Sequence, residues 1–336
     1  MKSFPVKAAI LASAVFFFWP PASFAQGDLP ARIKTRTELV VVPVTAKDRS
    51  GNLISDIRRE EFRVFEDGVE QQIALFSSDP FPLSAVVLID NGLSLKTAEE
   101  VQKSLMAIAA GFGPTDEVAL MTYDQFPEPV LDFTSDNDKV FTRLKRMRLG
   151  SEFPGQGSAP MTGGPKVNEQ TNLPQVPSVT STPPSHEMTD LTDAVYSAGQ
   201  MLGSRGRDRR KIIFLVSDGS NSRRNKMTYE NTIQLLLSAD ISVYSISVGR
   251  ALLNHETSLL VRYSTATGGD FFYASKQKEL ERLYSKLTEQ ARTQYTIAYV
   301  PHNSDRTKDF HSIEVRVKRP ELNLLARQGY YTSAQR

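Results

Sequence analysis

Cysteine is absent from the 336 residues of this chain, and neither sign of charge is in excess. Without cysteine the protein has no disulfide, no thiolate zinc site, no lipid anchored through an N-terminal cysteine and no cysteine nucleophile. The 40 basic and 38 acidic side chains leave a net charge of +2. This balance offers no basic patch for nucleic acid or for a membrane surface. The fold must therefore be held by its hydrophobic core, which a chain of this length can supply.

The motifs of several enzyme classes are also missing. The stretch "DNGLSLK" (90–96) after the first apolar strand lacks the G-x-G-x-x-G of a dinucleotide site. The chain contains neither a P-loop nor a G-x-S-x-G nucleophile elbow. "HEMTD" and "HETSL" lack the second histidine of H-E-x-x-H, and none of the histidines has metal-ligand spacing: His186, His255, His302 and His311. These absences set aside several enzyme classes.

One apolar run occurs at the N-terminus. Two lysines precede the run 8–19, and "SFA" at 23–25 places small residues at both ends of a cleavage tripeptide. About a dozen apolar residues are too few to span a bilayer, which takes roughly 20, so a membrane anchor is the weaker alternative. Residues 1–25 are thus predicted to be a signal peptide. The mature chain is expected to be exported, periplasmic or secreted, without a transmembrane anchor.

β-rich segments at both ends flank a segment in which strands and helices alternate. Residues 26–82 and 293–336 are rich in β-branched and aromatic residues, and Asp67-Gly68 is a hairpin signal. Residues 83–292 alternate apolar strands with amphipathic helices, which predicts a doubly wound, mainly parallel α/β sheet. Short flanks cannot each bury a core, so we expect one β-sandwich with the α/β domain inserted; two independent β units are the alternative. The Gly-, Pro- and Ser-rich stretch 150–184 is predicted to be a flexible surface loop.

Oxygen-bearing side chains recur at predicted strand ends and in the loops that adjoin them. "AVVLID" ends in Asp90, with Ser94 in the turn that follows, and "KIIFLVSD" ends in Asp218. Thr189 precedes a predicted helix. Because function gathers at the carboxyl ends of parallel strands, we expect these side chains to converge. Carboxylate and hydroxyl oxygens suit a hard divalent cation, Mg²⁺ foremost, with Mn²⁺ or Ca²⁺ as alternatives.

Each candidate also has a local explanation. Asp90 and Thr189 could cap the helices that follow them. Asp218 before Gly219 could be a turn residue, as could Ser220. The order in which these residues occur along the chain favours a site.

The same order resembles that of a von Willebrand factor type A domain. In that family a metal-ion-dependent adhesion site (MIDAS) uses D-x-S-x-S after the first strand, a threonine from a second loop and an aspartate from a third. "IDNGLS" is similar to the first motif at Asp90 and Ser94. "MTDLTDAV" is similar to the threonine loop at Thr189, and "LVSDGSNS" to the aspartate loop at Asp218, with Gly219 and Ser220 beside it. The β-rich flanks resemble those of the VWFA-related family first described from acidobacteria.

The chain departs from the motif at one position. Gly92 stands where the motif has its first serine and offers no side-chain oxygen. A water could fill the place, since Mg²⁺ keeps several waters, or metal binding could be weakened or lost. The resemblance implies a protein-binding or adhesion module that is not an enzyme and whose cation accepts a carboxylate from a protein partner. The predicted signal peptide would export this module. The alternatives are a metal-free interaction scaffold and a metal-assisted secreted hydrolase.

Overall fold

The computed structural model describes residues 39–150, 189–206, 208–249, 258–302 and 308–332. The predicted signal peptide and all but the first residue of the predicted loop 150–184 lie outside the described residues. Among the residues that are described, no helix has both the length and the apolar character needed to cross a membrane.

Strands and helices follow one another much as the sequence periodicity predicts. The strands are β1 (Val40–Lys47), β2 (Phe62–Glu66), β3 (Val69–Gln71), β4 (Ile73–Ser77), β5 (Leu83–Asp90), β6 (Glu117–Tyr123), β7 (Pro127–Thr134), β8 (Arg210–Ser217), β9 (Ile241–Ser247), β10 (Phe271–Tyr273), β11 (Tyr295–Tyr299), β12 (Phe310–Val317), β13 (Asn323–Ala326) and β14 (Gly329–Tyr331). The helices are α1 (Leu95–Ser104), α2 (Met106–Ala110), α3 (Asn137–Arg146), α4 (Leu191–Gly203), α5 (Tyr229–Ser238), α6 (Leu259–Thr267) and α7 (Gln277–Arg292).

Six strands form the central sheet in the order β10-β9-β8-β5-β6-β7. All neighbours pair in parallel except β7, which runs antiparallel beside β6. Counted from β5, this is the 3-2-1-4-5-6 order of doubly wound sheets. The predicted fold class is confirmed. The order reverses between β5 and β8, and in such sheets the crevice at this reversal is where ligands bind.

The central strands β5, β6, β8 and β9 are almost entirely buried because helices cover both faces of the sheet. Along β5, Val87 and Ile89 face a core closed by α1, α2, α3 and α7. Val86 and Leu88 face the opposite core, which α4, α5 and α6 close. All eight residues of β5 are buried as a result.

The two flanks of the chain form one β-sandwich. Its sheets have the orders β13-β1-β11-β4 and β14-β12-β2-β3, so each contains strands from both ends of the chain. They share a core to which Val42, Val64 and Ile297 contribute. The prediction of a single sandwich is confirmed, and two independent β units are excluded. The hairpin signal is also confirmed: Asp67 (φ 47°) and Gly68 (φ 81°) connect β2 and β3 with the positive φ angles of a type I′ turn.

The sequence pattern predicts one amphipathic helix over 96–112 and one strand over 324–331, and each of these elements is divided in the structure. The helix expected over 96–112 is interrupted after Ser104, whose hydroxyl donates to the Val101 carbonyl oxygen, a bond that bends helices. The strand expected over 324–331 becomes β13 and β14, which belong to different sheets. Between them the chain crosses the sandwich at Arg327, which is buried and donates to Asp240.

Candidate metal centre

The predicted site residues lie at the reversal of strand order. Asp90 is the last residue of β5, and Asp218 follows the last residue of β8. These strands are parallel neighbours, with Ile89 paired to Val216, so the two carboxylates leave the sheet at the same edge. The backbone N–H of Asp218 also hydrogen-bonds the Asp90 carboxylate.

Asp90 is held by hydrogen bonds and is only 1% exposed. Its Oδ1 accepts from the Gly92 backbone N–H at 2.9 Å, and its Oδ2 accepts from the Ser217 hydroxyl at 2.8 Å. The Tyr123 hydroxyl donates to Ser217 Oγ at 2.9 Å and lies 3.4 Å from Asp90 Oδ2. Burial, and then the negative charge of Asp218, raise the pKa of Asp90 to about 7 in spite of these bonds. A cation placed between the two carboxylates would relieve both effects.

Asp218 belongs to a tight turn as well as to the site. Its Oδ1 accepts from the Ser220 backbone N–H at 2.9 Å, and Gly219 has a positive φ of 78°. The Gly219 N–H donates to the same Ser217 hydroxyl that bonds Asp90. The turn explanation for Asp218 therefore holds alongside its position near Asp90, because the turn directs the residue to this edge of the sheet.

Thr189 lies beside Asp90 at the place of the missing motif serine. A β-carbon added to Gly92 would come 2.6 Å from Thr189 Oγ1 and 3.4 Å from Asp90 Oδ1. Thr189 is 1% exposed, and its carbonyl oxygen accepts from the Ser222 N–H at 2.7 Å, which joins its loop to the Asp218 loop. The threonine hydroxyl thus occupies space that a serine side chain at position 92 would need.

Ser94 is placed differently from the other candidates. It is exposed at the N-cap of α1, and its hydroxyl lies 2.9 Å from that of Thr97. The structure therefore brings together Asp90, Thr189 and Asp218, with Gly92 and Gly219 beside them, while Ser94 bonds within the first turn of α1. Neither capping explanation holds. The N-cap of α1 is Ser94 and not Asp90, and the N-cap of α4 is Asp190 and not Thr189.

Two residues of the site were not found from the sequence. Ser217 and Tyr123 are fully or almost fully buried in apolar strands, where the pattern alone marks them as core. The pairing of Tyr123 opposite Asp90 is the information that was missing. The position of Ser217 immediately before Asp218 is the one sequence signal that could have found it.

The donor set fits a hard cation with few protein ligands. Within the part of the chain that the structure describes, no group of three or more histidine, aspartate or glutamate side chains is arranged to hold a metal ion. Two carboxylates and the threonine hydroxyl remain, all of them oxygen donors. Mg²⁺ is commonly bound by one or two carboxylates and retains several waters, so this set is compatible with it.

Similar solved structures include type A proteins. The von Willebrand factor type A protein from Catenulispora acidiphila is 9% identical with a TM-score of 0.45, over 77% of this chain and 51% of that chain. Proximal thread matrix protein 1 from the mussel byssus, with a zinc-occupied MIDAS motif, is 14% identical with a TM-score of 0.46, over 68% and 50%. BatB from Bacteroides thetaiotaomicron is 10% identical with a TM-score of 0.43, over 62% and 98%.

The chain spans about half the length of the Catenulispora and mussel structures. No protein-family model matches the chain, and no curated protein matches it. At these identities and TM-scores the likenesses add no argument to the strand order, on which the fold assignment rests.

Proposed function

We propose that this protein is an exported, non-enzymatic binding module of the von Willebrand factor A type, with a divalent cation at the carboxyl edge of its central sheet. The observation that carries the proposal is the pair Asp90 and Asp218. Two carboxylates that come from neighbouring strands at the reversal of strand order lie close enough for one to raise the pKa of the other. Like charges brought together in a buried place are typical of a site that binds a cation.

In this proposal Asp90, Asp218 and Thr189 hold the cation. When bound, the cation supplies a position at which a carboxylate of a protein partner can complete its coordination. Ser217 and Tyr123 keep the Asp90 carboxylate in place through their hydroxyl groups. Gly92 leaves the position of the first motif serine to water or to the Thr189 hydroxyl.

A hydrolase with a serine nucleophile is disfavoured by the state of the hydroxyl that bonds Asp90, so the hydrolase alternative is one that activates a water on the cation. Ser217 Oγ is fully buried, accepts from Tyr123 and Gly219, and donates to Asp90. A nucleophile needs an accessible oxygen and a base that takes its proton. A metal-free interaction scaffold is the second candidate, supported by Ser94 bonding to Thr97 and by Gly92 lacking an oxygen ligand. Export is proposed from the segment 1–25 alone.

Calorimetric titration tests the proposal. Mg²⁺, Mn²⁺ and Ca²⁺ are titrated into the purified protein and into Asp90→Ala, Asp218→Ala and Asp309→Ala. Asp309 is an exposed carboxylate in the sandwich and serves as the matched control. We expect binding that is lost in the first two variants and retained in the third.

Two other results would change the conclusion. No binding by the parent protein would favour the metal-free scaffold. Turnover of generic phosphate or peptide substrates that disappears in Asp218→Ala would favour a hydrolase instead.

A further inference from the structure

A groove of about 390 Å³ opens where the end of β6, the start of α4 and the loop after β8 meet. Its lining includes two carboxylates, two basic residues and two aromatic rings: Asp190, Asp193, Arg224, Lys226, Phe126 and Tyr196. Asp190 directly follows Thr189, so the groove adjoins the candidate metal centre but uses none of its proposed ligands.

Asp190 has a carboxylate oxygen without a partner. The residue is 7% exposed, and no group among the described residues hydrogen-bonds its Oδ1. Asp190 is the N-cap of α4, yet its side chain makes no capping bond. Helix capping therefore does not explain this carboxylate. A buried carboxylate oxygen without a donor is costly unless a cation or a hydrogen-bond donor reaches it.

Ser222 hydrogen-bonds the Asp190 side chain, but Oδ1 has no partner and the neighbouring charged side chains bond elsewhere or are exposed. The Asp193 carboxylate accepts from the backbone N–H groups of Lys226 and Met227 at 3.0 and 2.7 Å, so it holds the loop after β8. Arg224 and Lys226 are exposed, and neither forms an ion pair with Asp190 among the described residues. The electrostatic influence of Arg224 on Asp190 is opposed by that of Asp193.

Phe126 is an exposed aromatic ring on the same groove. Its exposed fraction of 70% is large for a phenylalanine in a folded chain. A groove lined by both a ring and a carboxylate suits a planar cation, because the guanidinium group can donate hydrogen bonds to the carboxylate and stack on the ring face. A lysine ammonium would gain the charge interaction but less of the stacking.

We propose that this groove binds an arginine side chain of a protein partner, with Asp190 as the anion that receives the guanidinium group and Phe126 as the ring that stacks on it. The inference extends the proposed binding role to a second contact. It requires no cation at the metal centre, so the two proposals fail separately.

Fluorescence anisotropy with a labelled peptide tests the groove. The probe is acetyl-Gly-Gly-Arg-Gly-Gly-amide, compared with the same peptide carrying citrulline, a neutral group of the same shape. Both are titrated with the purified protein in the presence of a chelator. We expect the citrulline peptide to bind at least about tenfold more weakly, since a hydrogen bond to a charged group contributes roughly 1.5–3 kcal/mol.

Substitutions of the groove residues test whether the arginine peptide binds in the groove. Asp190→Asn is expected to weaken binding of the arginine peptide by about tenfold or more. Phe126→Ala, at an exposed position that does not endanger the fold, is expected to weaken it by about two- to fivefold. Asp309→Asn, which removes the same charge from the sandwich, should leave it unchanged. The proposal is overturned if the parent protein binds neither peptide, if it binds both equally, or if neither groove variant changes the affinity.

Discussion

The hydroxyl oxygen of Thr189 lies 2.6 Å from the point at which Gly92 would carry a β-carbon. The two residues therefore compete for one place beside Asp90. Close-packed interiors do not yield such space without displacement of a neighbour. Glycine at position 92 and an inward Thr189 hydroxyl belong together in this chain, so the missing serine is part of the local packing.

Gly92→Ser is predicted to destabilise the fold by about 1–3 kcal/mol, the cost of adding atoms to a filled site. The serine should strengthen cation binding only if Thr189 gives way. In a Thr189→Ala background the hydroxyl is gone, so the cost of Gly92→Ser should fall, giving a coupling energy of about 0.5–3 kcal/mol.

Urea unfolding of the two single variants and the double variant measures this coupling. Gly203→Ser is the control, since a β-carbon there meets no neighbouring atom within 4 Å. If the losses in free energy of unfolding of the two single variants simply add in the double variant, Gly92 and Thr189 do not compete for the same space.

The raised pKa of Asp90 predicts that stability falls as pH rises in the absence of a cation. Its pKa is about 7 in the folded protein, against 3.8 for the free group, so the folded state binds more protons between these values. The contribution is favourable below about pH 4 and is lost progressively up to about pH 7, at no more than about 1.4 kcal/mol per pH unit.

The variant Asp90→Asn, which does not titrate, should flatten this dependence. Urea unfolding with a chelator at pH 4.5, 6 and 7.5 measures the difference between the two proteins. Saturating Mg²⁺ at pH 7.5 should restore stability to the parent alone. A parent and variant with the same pH dependence would show that Asp90 does not titrate in this range.

Ser217→Ala is predicted to lower the stability of the folded protein more than Ser94→Ala does, although each substitution removes one hydroxyl group. Ser217 Oγ forms hydrogen bonds with Asp90, Tyr123 and the Gly219 N–H. Without it, each buried group left without a hydrogen-bond partner should lower the free energy of unfolding by about 1–3 kcal/mol. Ser94 is exposed, so its replacement should stay within about 0.5 kcal/mol. Thermal unfolding in the same buffer ranks the two, and equal shifts would argue against the buried network.

Arg210 is predicted to be required for the connection between the α/β part and the C-terminal flank. Its guanidinium group donates to the carbonyl oxygens of Ala291 and Gln294 and to the Thr296 hydroxyl. Burial lowers its pKa to about 10, so it remains charged at neutral pH. Arg210→Ala leaves these buried acceptors without a donor, and we expect a loss of about 3 kcal/mol or more.

Arg210→Lys should recover only part of the stability lost in Arg210→Ala, because one ammonium group cannot reproduce the several planar N–H donors of the guanidinium group. Arg316→Ala is the matched control: Arg316 is exposed and pairs with exposed Glu314, a contact that solvent screens and that is expected to contribute little. Denaturant unfolding measures all three. Equal effects at positions 210 and 316 would mean that the buried contacts do not hold the two parts together.

Much of the fold could be predicted from the sequence because the patterns that specify its strands and turns are local. The unbroken apolar run before Asp90 and the Asp67-Gly68 pair act within a few residues, and both predictions held. The position of Ser94 could not be predicted from the local sequence pattern. Its spacing from Asp90 matches the motif, but the turn after β5 places it at the N-cap of α1, where it bonds Thr97. Likewise, the division of 324–331 between two sheets depends on strands from the other end of the chain.

The sequence by itself determined the alternation of strands and helices, the absence of disulfides and the residues at the carboxyl ends of the strands. Periodicity and turn chemistry are short-range, and the chain carries them wherever it folds. Only the tertiary structure decided that Asp90, Thr189 and Asp218 meet, that Thr189 takes the space beside Gly92, and that Asp190 keeps an oxygen without a donor. Those facts depend on which strands pair and which loops touch across long separations in the chain, and on the burial that raises the pKa of Asp90.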